Sequence, residues 1–117
     1  EAFRAGAEVG FGSGCPTLVN DKGLSETVTG YLKDLLGANR AFTTVELSGG
    51  KPARGGGSED FAYVSHEVPS LMLALAAGEP SKGYVYPQHH PKVKFDESVL
   101  STGAAVFVDC ALQYLRE

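Results

Sequence analysis

Cysteine is scarce in this chain: Cys15 and Cys110 are the only two, they stand near opposite ends, and they match no CxxC pattern. Such sparse usage is typical of reducing compartments and argues against a disulfide framework. Cys110 falls on the apolar stripe of the last amphipathic segment, where a buried, reduced thiol is expected. Positive charge is also in short supply. Ten Lys and Arg against fourteen Asp and Glu give a formal net charge of −4 and a pI near 5.3. That excludes the clustered basic surface that nucleic acid or an anionic membrane requires. No apolar run approaches the roughly 20 residues of a membrane span. Nor does a charged stretch precede an apolar core of signal-peptide type, so a cytoplasmic protein is the expectation. An initiator Met is missing too, and the chain opens within the strand-like AEVGF. Both features hint at a segment of a longer protein, although N-terminal trimming would look the same.

What remains is one domain's worth of sequence, or part of a larger domain: 117 residues, 43% apolar, enough for a small core. Residues 7–12 read as a short strand closed by the breakers GSGCP. From Leu24, apolar side chains at Val28, Tyr31, Leu32, Leu35 and Leu36 fall on one helical face, and Gly37 is a stop signal. AFTTVEL, 41–47, is β-branched and alternating, which predicts a strand. Ser58 is placed to cap a helix through EDFAYVSHEV, with Glu59 and Asp60 in its first turn. PSLMLALA, bounded by Pro69 and Gly78, suits a strand buried on both faces, although its composition also suits a helix. Asp96 is the expected cap of a long final helix carrying Val99, Leu100, Ala104, Phe107, Cys110, Ala111, Tyr114 and Leu115. The order β-α-β-α-β-α predicts an α/β fold, a layered sheet with helices.

Two features invite chemistry. The first is the glycine-rich run SGGKPARGGG, 48–57. It is not a P-loop, because no Ser or Thr follows Lys51, and not a nucleophile elbow, because Asp60 stands where G-x-S-x-G needs glycine. Small residues ahead of a helix that begins at Ser58 can still let a carboxylate or phosphate approach backbone N–H groups. A flexible surface loop is the alternative. The second feature is YPQHHPKVKFDE, which ends on Asp96 and Glu97. Pro91 pushes His90 out of helical conformation, so both imidazoles are expected on an extended loop, pointing opposite ways. A metal ligand, a catalytic base and a solvent-facing pair all remain open. A catalytic zinc centre takes three protein ligands, yet the chain has no HxD, HExxH or HxxE pattern, and His66 in SHEVP reads as a helix end. Either the pair is not a metal site, or its partners lie in other sequence.

GGGSEDFAYV, followed some way on by YPQHHPKVKFDESVLSTGAAVFVDCALQYL and preceded by GCPTLVND at 14–21, resembles the C-terminal part of the aminoacylase and hippurate hydrolase metallopeptidases. The resemblance covers nearly the whole chain, and the order and spacing of the motifs carry it. It implies a metal-dependent amidohydrolase with an α/β catalytic domain and an inserted lid domain that commonly mediates dimers. Residues 1–13 would then end the lid or form a crossover strand, and residues 14–117 would be the C-terminal part of the catalytic domain. The family binds two divalent ions, zinc, manganese or nickel, and its last ligand is the first His of an HxP motif, here His89. His90 takes the variable middle place, a bystander. Gly56, Gly57 and Ser58 would contact the carboxylate of an N-acyl amino acid substrate. A metal-bound water would attack the amide, with a Glu outside this chain as proton shuttle. None of the catalytic residues maps onto these 117 residues, so the segment by itself is expected to be inactive and to need the remainder of the catalytic domain. Lys92, Val93 and Lys94 depart from the aromatic and acidic residues usual there. The competing expectation is a free-standing, non-catalytic α/β binding or interaction module, and the coding sequence upstream of Glu1 separates the two.

Overall fold

A computed structural model describes residues 6–51 and 55–116 of the chain. It holds four α-helices: α1 (Lys22–Leu36), α2 (Thr44–Leu47), α3 (Phe61–Glu67) and α4 (Leu100–Tyr114). Single 3-10 turns at Pro80–Lys82 and Glu97–Val99 complete the regular structure. Among the described residues there is no strand, and the one β-type pairing is an isolated antiparallel bridge between Glu79 and Tyr84. The expected layered α/β sheet is therefore overturned.

The two long helices form where periodicity placed them. Asp21 caps α1 by accepting the Leu24 N–H at 2.7 Å. At the other end, Gly37 turns the chain out at φ 93° while its own N–H still reaches the Lys33 carbonyl. The apolar face of α1 buries Val28 and Tyr31 and packs on α4, which buries Val106. Asp96 accepts the Ser98 N–H at 3.1 Å and caps the 3-10 turn that leads into α4, as expected of it.

The three expected strands fail for separate reasons. Residues 7–12 follow an irregular, exposed course, with no backbone hydrogen bond to a neighbour among the described residues. In 41–47 a local contest is decided the other way. Thr43 accepts the Glu46 N–H and Glu46 accepts the Thr43 N–H, a reciprocal capping box that turns Thr44–Leu47 into one helical turn. Lys33 of α1 fixes Glu46 further with an ion pair of 2.7 Å. The apolar run after Pro69 is neither strand nor helix. It is anchored at single points: the Asp21 N–H to the Ser70 carbonyl, the Met72 N–H to the Asn20 side chain, and the Asp96 N–H to the Ala77 carbonyl. A strand needs a ladder, and no parallel neighbour lies beside this run among the described residues.

Residues 14–20 run as a strap along α3. Tyr63 donates its hydroxyl to the Gly14 carbonyl at 2.9 Å, and His66 donates Nε2–H to the Thr17 carbonyl at 2.8 Å. His66 is thus at a helix end, as expected, with a structural hydrogen bond. Neither cysteine is disulfide-bonded; Cys15 is exposed and Cys110 half-buried, where desolvation first and then Asp109 push the thiol up.

The core is thin. Val28, Tyr31, Ala41, Ala62 and Val106 are its buried apolar residues, and no large side chain is fully buried among the described residues. The chain exposes 9772 Å², whereas a closed globule of its 12.3 kDa would expose about 6,100 Å². Its radius of gyration is 19.2 Å, against about 13 Å for a compact domain of this length.

Candidate functional site

The histidine pair sits on a tight turn. The His90 N–H returns to the Pro87 carbonyl at 3.1 Å, and the Val93 N–H to the His90 carbonyl at 3.0 Å. Between them His89 takes φ 71°, left-handed backbone that costs a non-glycine residue of order 1 kcal/mol. The expected extended loop is corrected here. Pro87 and Pro91 bracket the pair, and two successive turns form between them and Val93 where an extended run was read.

The turn separates the two imidazoles by their partners. The His90 ring stacks on Tyr86, centroids 4.3 Å apart and planes 10° from parallel. Its Nδ1 accepts the Lys92 N–H at 3.1 Å, so the ring proton is on Nε2. His89 is exposed, and among the described residues no hydrogen bond or ion pair reaches its side chain. Its imidazole is therefore available to a ligand, whereas that of His90 is committed within the loop.

Two ties hold the turn to the rest of the chain. The backbones of Glu79 and Tyr84 bond reciprocally at 3.2 and 3.0 Å, and Lys82 pairs with Asp96 at 2.7 Å. The Lys82 ammonium, followed by the Ser98 N–H and hydroxyl, lowers the Asp96 carboxyl from its ordinary 3.8 to about 2. The bond to Asp96 correspondingly raises Lys82. A depressed carboxyl contributes its tie fully above the ordinary value and loses it as pH falls through the lowered one. The Lys82–Asp96 link should therefore persist to pH 3.8 and release near pH 2. An NMR titration of the Asp96 carboxyl carbon checks this, and a midpoint near 3.8 would show that the tie is not made.

Lys82, Tyr84, Tyr86, Pro91, Lys92 and Lys94 line an open cavity of about 410 Å³. Lys92 Nζ stands 6.0 Å from the Tyr86 centroid and Lys94 Nζ 5.8 Å from that of Tyr84, the outer limit of cation–π contact. A second cavity of about 350 Å³, between Asp21, Leu24, Thr27, Pro69 and Tyr114, is lined by none of the candidate site residues. His89 lines neither cavity.

Gly56, Gly57 and Ser58 are exposed and irregular, and a methyl group added at either glycine would meet nothing within 4 Å. Ser58 is not the helix cap. α3 starts at Phe61, Asp60 holds the cap position in helical conformation without a capping bond, and Glu59 accepts the Phe61 N–H at 3.0 Å. Glu59 and Asp60 thus precede the helix, whose seven residues give little dipole.

Among the described residues, no three His, Cys, Asp or Glu side chains gather where a metal ion could be held. His89 offers one nitrogen ligand, and these residues do not complete a centre around it. Sequence reasoning missed the Tyr86 and Lys92 partners of His90. Their signal was an aromatic residue four positions before the histidine and a free N–H two positions after it.

Comparisons with known proteins agree on one chemistry. The chain is 34% identical over 102 residues to IAA-amino acid hydrolase ILR1-like 2 of Arabidopsis thaliana, covering 87% of this chain and 21% of that protein. It is 28% identical over 110 residues to a Bacillus subtilis protein named as amidohydrolase YhaA, covering 94% and 26%. With thermostable carboxypeptidase 1 of Saccharolobus solfataricus it shares 29% identity over 99 residues, 85% and 22% of the two chains. The chain thus spans about a fifth to a quarter of the length of these relatives. No family model and no solved structure matches it. No helix among the described residues is long and apolar enough to cross a membrane.

Proposed function

The chain belongs with the amidohydrolases that these relatives represent, and we propose that it supplies one metal ligand, His89, to a metal-dependent enzyme cleaving the amide of an N-acyl amino acid. The observation that carries the proposal is the contrast within the pair: His90 is held by Tyr86 and Lys92, while His89 is left exposed and unengaged on a left-handed turn. With no hydrogen bond on its side chain among the described residues, His89 has a ring nitrogen free to bind an ion held largely by other residues. The relatives' names support the substrate class. An amino acid conjugate hydrolase and a carboxypeptidase each release an amino acid with a free carboxylate.

In this reading Gly56, Gly57 and Ser58 orient that carboxylate through their open backbone, without help from a helix terminus. Residues 14–117 form part of the catalytic domain, and residues 1–13 lead in from a lid domain. The partner of the segment is the remainder of the catalytic domain, which brings the other ligands of two divalent ions, zinc, manganese or nickel. One unengaged imidazole does not fit a complete metal centre, so no catalytic step is assigned to residues of this chain beyond binding and orientation.

The purified 117-residue chain should therefore show no turnover of hippurate or N-acetyl amino acids above the blank, with or without Mn²⁺ or Zn²⁺. The full-length protein carrying it should turn them over. Metal-stimulated hydrolysis by the chain alone would overturn the reading.

A further inference from the structure

Read by sequence alone, His90 is a bystander, but its contacts give it a task. We infer that His90 is a positioning residue for His89, acting through a clamp made with Tyr86 and Lys92. The inference rests on the ligand reading of His89 only for its consequence in the enzyme; the clamp itself stands on the geometry of the loop.

Four contacts converge on this residue, two of them on its side chain. The imidazole lies flat on Tyr86, four residues earlier, at 4.3 Å and 10°. Its Nδ1 takes the Lys92 N–H at 3.1 Å, two residues later. Its backbone N–H closes the turn on the Pro87 carbonyl at 3.1 Å and its carbonyl closes the next on the Val93 N–H at 3.0 Å. The ring thus ties the strand of chain entering the turn to the strand leaving it. His89 lies inside that closed span.

The energetics call for such a tie. Left-handed backbone at His89 is unfavourable for a residue with a Cβ, and an exposed turn has no packed surroundings to enforce it. A ring stack and a hydrogen bond are each favourable by an amount comparable with that cost, so together they can offset it. Pro91 helps by denying the backbone an N–H at that position, which leaves the Lys92 N–H as the next donor for the ring nitrogen. The same residue that keeps His90 from binding an ion through Nδ1 fixes the direction in which His89 is presented.

The two contacts can be separated by substitution. His90→Asn places an amide oxygen where Nδ1 was, so it keeps the bond to Lys92 and loses most of the stack. His90→Phe keeps the stack and loses the acceptor. Tyr86→Leu removes the stack alone. Hydrogen–deuterium exchange of the peptide spanning 86–94, measured in the full-length protein at fixed pH, reads the clamp without reference to activity. Exchange should be several-fold faster in His90→Phe, His90→Asn and Tyr86→Leu, each of which loses one of the two contacts, and faster again in His90→Ala, which loses both. Metal affinity, read from ion retained against a chelator, should fall roughly tenfold in His90→Ala and by less in the variants that keep one contact. If His90→Ala exchanges no faster than wild type, or no faster than the variants that keep one contact, the clamp is wrong. If His89→Ala leaves metal affinity unchanged while His90→Phe still loosens the peptide, the clamp stands and the ligand reading of His89 falls.

Discussion

Replacing His89 by alanine in the full-length enzyme should lower kcat/KM for an N-acetyl amino acid by at least about 100-fold. Outer partners of metal ligands already cost that much at the upper end, and a ligand itself costs no less. The structure makes the experiment easy to interpret, because the side chain does nothing else here. His89 is exposed and makes no hydrogen bond among the described residues, so its removal breaks no contact on which folding depends. Surface substitutions of that kind shift stability by no more than about 0.5 kcal/mol. His89→Gly goes further. It removes the imidazole and relieves the left-handed backbone at φ 71°, so, compared metal-free, it should be at least as stable as wild type and, with metal supplied, as inactive as His89→Ala. Loss of activity with an unchanged or raised melting temperature of the metal-free protein identifies a chemical role. Full activity in both variants, with metal content intact, would sink the ligand assignment.

The sequence carried the long helices because their signals are local. Asp21, the periodic face from Leu24 and the stop at Gly37 act within α1 itself, and Asp96 caps the approach to α4 in the same way. Strands are not local, and there the reading failed. β-branched residues at 41–47 are compatible with a strand, but Thr43 and Glu46 can close a capping box with no partner beyond their own turn. The apolar run after Pro69 has strand-like composition and no ladder, since composition cannot supply a neighbour. The site was legible to the extent that its chemistry is carried by residue type. HHP marked where an imidazole could serve, but not that Nδ1 of His90 would be taken by Lys92, because that depends on the turn closing. Ser58 was misread as a cap because Glu59 competes for the same task one residue nearer to the helix.

In solution the 117-residue chain should associate and bind the dye ANS, and it should not sediment as a 12.3 kDa monomer at micromolar concentration. The reason lies chiefly in α4. One side of this helix is engaged: Val106 is buried, and Gly103 lies so near Leu75 that an added methyl group would come within 3.1 Å of that side chain. The flank beside it is also apolar, with Leu100 65%, Phe107 75% and Leu115 82% exposed, while Thr102, Asp109 and Gln113 form the polar stripe. An apolar arc wider than its cover belongs inside a larger structure, and soluble monomers rarely leave so large a patch uncovered. The surface in excess of a closed globule, about 3,700 Å² on this chain alone, is more than the roughly 1,000–2,500 Å² that each partner gives to an obligate interface. Phe107→Lys should therefore raise solubility and lower ANS fluorescence in the isolated chain, because there the side chain meets only water. In the full-length enzyme the same substitution should cost several kcal/mol, because it would bury a charge without a partner. A monodisperse, ANS-silent monomer would mean that this face has no cover to lose. Opposite effects of one substitution in the two settings would locate the missing cover on α4.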